Sequence, residues 1–264
     1  MTDDLEQVEL ALPQWRLSID RAAAIEQAIG AGVRRVHLDF GGAHRGTVLS
    51  DGACLSRLLP LLSDVAVPVL AFNHANDVGI FTEDNRVNPY CLSLAMKALD
   101  VAAALGAETL HIPSFGASTI GDAGQLMATA AFLRPVAESA AARGMGVASE
   151  SALGSAQAIR LYHAVDRPNL SLVVDTGNAI DAGHDPGRLL GDLLAQSRVC
   201  AEVHVKEPRG RRLTGEQIAT LVRDHVLAHF VPKALLLEND YAHVAGKLDA
   251  DVAAMRDLLG RAEG

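Results

Sequence analysis

Four side chains of metal-ligand type stand at the ends of four successive apolar, strand-like runs. They are Glu150 after Gly-Met-Gly-Val-Ala-Ser, Asp175 after Leu-Ser-Leu-Val-Val, His204 after Cys-Ala-Glu-Val, and Glu238 after Ala-Leu-Leu-Leu. The steps between them are 25, 29 and 34 residues, about one strand, one helix and their loops. If the runs are neighbouring parallel strands of a closed barrel, the four side chains converge on one point. Singly, each could cap a helix or join an ion pair. Four in the same tip position are read as a site for one divalent cation, because three close carboxylates repel one another unless a cation offsets their charge. Oxygen ligands with one imidazole suit Mn²⁺ first, with Mg²⁺, Co²⁺ and Zn²⁺ also compatible.

The elements that must carry these groups follow from hydrophobic period and breakers. Strands are expected near 7–12, 33–40, 67–73, 108–113, 145–150, 170–175, 199–206 and 233–239. Helical periodicity lies between them, near 18–31, 52–63, 88–106, 122–143, 153–164, 186–197, 214–228 and 246–260. Asp185-Pro186 reads as an N-cap followed by proline at the first helical position, and Thr214 with Gln217 as a capping box. Gly32, Gly106 and Gly144 suit left-handed helix ends. Eight alternating units with no composition break predict one (β/α)8 barrel spanning residues 1–264 as a single domain. An open doubly wound sheet is disfavoured, since no G-x-G-x-x-G follows the first strand.

Composition narrows the partners. With 49% hydrophobic residues but only 4% aromatic, the core must be built from Ala, Val, Leu and Ile, as a helix-covered parallel sheet requires. A formal charge of −9 argues against nucleic acid. Three cysteines without C-x-x-C spacing, an acidic N-terminus and no membrane-length apolar run fit a soluble cytoplasmic protein.

At the quartet the chain resembles the xylose isomerase-like TIM barrel superfamily, which includes sugar isomerases and epimerases, inosose dehydratases and endonuclease IV. Asp175-Thr-Gly-Asn-Ala-Ile-Asp-Ala-Gly-His-Asp-Pro is similar to the D-T-G-[HN]-x(4)-G-x-D-P segment after strand six. Val203-His204-Val205-Lys206 is similar to V-H-[LV]-K, and Leu237-Glu238-Asn239 to the strand-eight glutamate. The resemblance implies that Glu150, Asp175, His204 and Glu238 hold one divalent ion. It also implies that Glu150 and Glu238 act as acid and base on opposite faces of a small sugar or related polyhydroxy carbonyl compound, through a metal-stabilised enediolate.

The expected activity is therefore isomerase or epimerase. The alternatives are an inosose-type dehydratase or a non-catalytic metal-binding barrel. Two features separate the chain from its relatives. It has no extra histidine ligands of the endonuclease IV kind, and it carries Ala156 where ketose 3-epimerases have a further glutamate.

The candidates for substrate contact are His74, His111, Asn178, Lys206 and Arg209. Asn73 and His74 end the third strand, only one can face inward, and His74 is preferred. Lys206 could instead pair with Glu202. Arg209 could meet a substrate phosphate or carboxylate. On the second strand Arg35, His37 and Asp39 share the inner face, where an Arg-Asp ion pair is expected. Ile80 and Phe81, in the long segment after strand three, could close the pocket or contact another subunit of a homo-oligomer.

Overall fold

A computed structural model describes residues 2–260. Eight strands run parallel: β1 Glu9–Pro13, β2 Val36–Asp39, β3 Val69–Ala71, β4 Thr109–Ser114, β5 Gly146–Ser151, β6 Leu170–Val173, β7 Glu202–Val205 and β8 Ala234–Leu237. They pair in the order β6-β5-β4-β3-β2-β1-β8-β7, and the bridges Leu172 to Val199 and Asp175 to His204 join β6 to β7. The result is a (β/α)8 TIM barrel with every expected strand in place.

The alternation of side chains explains two cores. Outward residues such as Val36, Leu38, Leu70, Leu110, Val203 and Leu237 are fully buried against the helices. Inward residues include the polar His37, Asp39, His111, Glu202 and His204 and the small Ala71, Ala148 and Ala234, with Val173 and Leu236 among them. His111 is flanked in register by Ala71 on β3 and Ala148 on β5, so the imidazole occupies space that larger neighbours would fill.

The helix signals hold locally. Asp185 caps Pro186–Leu194 by accepting from the Arg188 N–H, and Thr214 with Gln217 forms the complete capping box of Gly215–Val222. Gly32, Gly106 and Gly144 take positive φ. A short helix, Thr176–Asp181, was not visible in the periodicity because six residues are too few to show it. It docks on the exit of β7: Thr176 Oγ1 donates to the Lys206 carbonyl and accepts from the Lys206 N–H, each at 3.0 Å.

Two expectations are corrected. Ile80 is fully buried in the core, so it is not an exposed contact for a lid or a second subunit. Arg35 does not pair with Asp39; it reaches Glu9 at 2.9 Å and Glu202 at 3.9 Å, because it lies at the lower end of the barrel where those carboxylates sit. Among the described residues no helix is long and apolar enough to cross a membrane.

Gly177 packs where the short helix meets the β7 exit, and a Cβ there would lie 2.8 and 2.9 Å from the carbonyl oxygens of Glu207 and Lys206. Those atoms are backbone and cannot swing aside. Gly177→Ala is expected to destabilise by about 1–3 kcal/mol, read as a lowered thermal midpoint. An unchanged midpoint would show that this junction is not tightly packed.

Candidate active site and metal centre

The barrel register brings Glu150, Asp175, His204 and Glu238 together at the C-terminal ends of their strands, all buried. Glu150 divides its oxygens between two sets of partners. Asn178 Nδ2 donates to Oε1 at 2.7 Å, while His111 Nε2 and His204 Nδ1 lie 3.0 and 3.2 Å from Oε2.

Glu238 is divided in the same way. Its Oε1 accepts from the Trp15 indole at 3.3 Å and Arg16 Nη2 at 3.1 Å, with Lys206 Nζ at 3.9 Å; its Oε2 stands 3.5 Å from His204 Nδ1. Asp175 caps the short helix, accepting the Asn178 N–H on Oδ1 at 2.7 Å. It is thus both a helix cap and a member of the cluster.

Among the described residues, buried atoms here without hydrogen-bond partners include Asp175 Oδ2, His111 Nδ1, and His204 Nδ1, whose carboxylate neighbours are poorly aligned with it. A ligand atom from each of Asp175, His204 and Glu238 lies within 4.8 Å of the other two, and the same is true of His111, Glu150 and His204. Orphaned oxygen and imidazole nitrogen beside two further carboxylates fit a divalent cation.

The electrostatics express the same strain. Burial, then the charges of Glu150 and Glu238, push Asp175 up to about 7. Burial also opposes ionisation of Glu150, but hydrogen bonding from His111 and His204 outweighs it and holds this carboxyl below the usual range. Glu238 is held well below its ordinary value against burial, chiefly by Lys206, His204 and Arg16. His204 is raised well above its ordinary value: burial alone would lower it, but Glu150 and Glu238 prevail. A cation bound at this cluster would displace a proton from the ring.

Beneath the cluster, Glu202 Oε1 lies 3.8 Å from His204 Nε2 and 3.0 Å from His37 Nε2. A carboxylate on that side favours a proton on Nε2 and leaves Nδ1 facing the cluster.

The centre opens upward into a cavity of about 420 Å³. Trp15, Pro113 and Phe115 form its apolar wall, Asn73, Asn76 and Asn178 its neutral polar groups, and Arg16, Arg45, Lys206 and Arg209 its cations. Four of the five residues expected to contact substrate line it: His111, Asn178, Lys206 and Arg209. Lys206 turns toward Glu238 and Asn178, not Glu202.

His74 is not in the lining. It pairs with Asp77 at 3.1 Å and packs against Gly42, while Asn73 is the inward residue and donates to Asp39 at 3.1 Å. Ala71 faces inward, so alternation carried two residues past the end of β3 puts Asn73, not His74, on the cavity side. Trp15, Arg16 and Arg45 were missed altogether. The available signal was position alone, since Trp15 and Arg16 directly follow β1 and Arg45 follows β2.

With the geometry established, relatives can be compared. A model of the family described as xylose isomerase-like TIM barrel matches residues 25–230. The chain belongs to this family. A 2-epi-5-epi-valiolone 7-phosphate 2-epimerase from Actinoplanes sp. is 34% identical over 253 residues, covering 92% of each chain.

Among solved structures, a xylose isomerase-like TIM barrel protein from Mycobacterium smegmatis in complex with magnesium superposes with a TM-score of 0.70 at 11% identity, covering 97% of both chains. An L-ribulose 3-epimerase gives 0.70 at 15% identity over 96% of this chain and 95% of the other. These two share the fold. The Actinoplanes relative supports the expected enzyme class, an isomerase or epimerase.

In metal-stripped protein the raised Asp175 makes a signed prediction. Because its folded value lies above its unfolded one, ionisation removes stability as pH rises from about 4 to about 7, by a few kcal/mol. Asp175→Asn keeps a cap oxygen and removes the charge. Its unfolding free energy relative to the parent, measured with chelator at both ends of that interval, should improve by roughly 2–4 kcal/mol toward neutral pH. A difference that does not vary with pH would contradict the repulsion described here.

Proposed function

We propose that the protein is a divalent-metal-dependent epimerase or isomerase. It acts on a small sugar or cyclitol at a carbon next to a ketone. The observation that carries this reading is the convergence of Glu150 and Glu238 on Nδ1 of His204, each with one oxygen held by its own partners and the other turned to the shared centre. Asp175, His204 and the two glutamates would hold the ion, Mn²⁺ before Mg²⁺, Co²⁺ or Zn²⁺. When bound, it would supply Lewis acidity to the ketone and adjacent hydroxyl oxygens.

The protein's own groups perform the proton transfer. Glu150 is kept ionised by His111 and His204, the protonation state in which a base must start. A C–H bond facing one glutamate breaks, its proton passes to that carboxylate, and the electron pair moves to the carbonyl oxygen. The other glutamate, which must enter the cycle carrying a proton taken up from solvent when substrate binds, gives it to the opposite face of the same carbon and inverts it; exchange with solvent then resets both carboxyls. Lys206, near Glu238 and Asn178, places positive charge beside the oxygen that becomes negative. Asn178 and His111 orient Glu150, and Trp15 with Arg16 orient Glu238, so neither carboxylate must reorganise during transfer.

Glu150→Gln and Glu238→Gln should each lower kcat at least about 1,000-fold, and Lys206→Met by roughly 10–100-fold. Turnover in deuterium oxide should place solvent deuterium at the inverted carbon with no loss of water. Full activity in either glutamate variant would defeat the two-carboxylate mechanism, and a dehydrated product would assign the chain to the lyases of this fold.

A further inference from the structure

The four cations of the cavity differ in what they are free to do. Arg16 is held by Glu238, Arg45 is bound to both oxygens of Asp77 at 2.7 and 3.1 Å, and Lys206 lies in the floor with Asn178 and Glu238. Arg209 is exposed at the rim, and its guanidinium has no partner among the described residues.

Its backbone, by contrast, is pinned. The Arg209 N–H donates to both carboxylate oxygens of Asp181, at 2.9 and 3.0 Å. The following turn closes with the Arg211 N–H on the Pro208 carbonyl at 3.1 Å, Gly210 supplying the positive φ. Glu207 ties the segment down on its other side through Asn239, Leu213 and Lys247. A fixed backbone carrying an uncommitted guanidinium is preorganised for an oxyanion.

The polarity of the cavity indicates which anion and which way round. Its floor cations, Arg16 and Lys206, are committed to Glu238, whereas its rim carries the uncommitted Arg209 in a chain of net charge −9. A substrate with an anionic group at one end and a ketone at the other fits in only one direction. We propose that Arg209 anchors the phosphate monoester of a phosphorylated cyclitol or sugar, fixing the ketone end at the carboxylate floor. This rests on the epimerase reading for the identity of the rest of the ligand. It assigns to one residue the discrimination between phosphorylated and free substrates.

Two measurements separate this proposal from that reading. With inorganic phosphate as probe, titration calorimetry on the metal-loaded protein needs no turnover. Binding should weaken at least tenfold in Arg209→Gln, partly return in Arg209→Lys, and change less than twofold in Arg211→Gln. With 2-epi-5-epi-valiolone 7-phosphate and its unphosphorylated form as substrates, the parent should prefer the phosphate ester at least a hundredfold in kcat/KM. Arg209→Gln should cut that ratio at least tenfold, mainly through KM. Absence of turnover on both compounds would count against the epimerase reading while the phosphate titration still decides the role of Arg209. Failure of the parent to bind phosphate, or equal weakening by Arg209→Gln and Arg211→Gln, would overturn the proposal.

Discussion

The mutual repulsion of carboxylates in a buried space is the constraint around which this barrel is arranged. Glu150, Asp175 and Glu238 meet at one end of the lumen, and His204 lies among them. The protein offsets two of the three charges with its own groups: His111 and Asn178 on Glu150, and Arg16, Trp15 and Lys206 on Glu238. Asp175 receives only a backbone N–H, on one oxygen. It is the member left raised to about 7, and so it is the group whose ionisation most needs a cation.

The rest of the fold serves that end of the lumen. Alanines at inward positions of β3, β5 and β8 make room for imidazoles, and the apolar outer faces of the strands carry the stability that a polar lumen does not. Below the cluster, His37 and Glu202 form a second buried pair that sets the orientation of His204 from β2 and β7. Above it, the short helix after β6 links the cluster to the substrate rim. Its cap is Asp175, its first residues grip the β7 exit, and its last, Asp181, pins the backbone of Arg209. A single six-residue element therefore couples the proposed metal-binding end to the proposed phosphate anchor.

Much of this was readable in the chain before any coordinates. The quartet was recognisable because each member ends an apolar run, and the V-H-V alternation around His204 already turned Glu202 and Lys206 inward. What could not be read was pairing across the lumen. His37 and Glu202 are 165 residues apart, and Trp15 and Arg16 are more than 220 residues from Glu238; no local pattern links them. Which of Asn73 and His74 faces the cavity depends on which face Ala71 takes, and only its pairing with His111 settles that as inward, with Asn73 beside it. The helix over Thr176–Asp181 is too short, at six residues, to show a helical period.

Equilibrium dialysis with Mn²⁺ of the chelator-stripped parent and of His204→Gln tests the cation-centred site most directly. The parent should saturate at about one ion per chain, and the variant should bind at least about 100-fold more weakly while keeping its far-ultraviolet circular dichroism. A folded parent that takes up no ion, or a variant that binds as tightly as the parent, would contradict it.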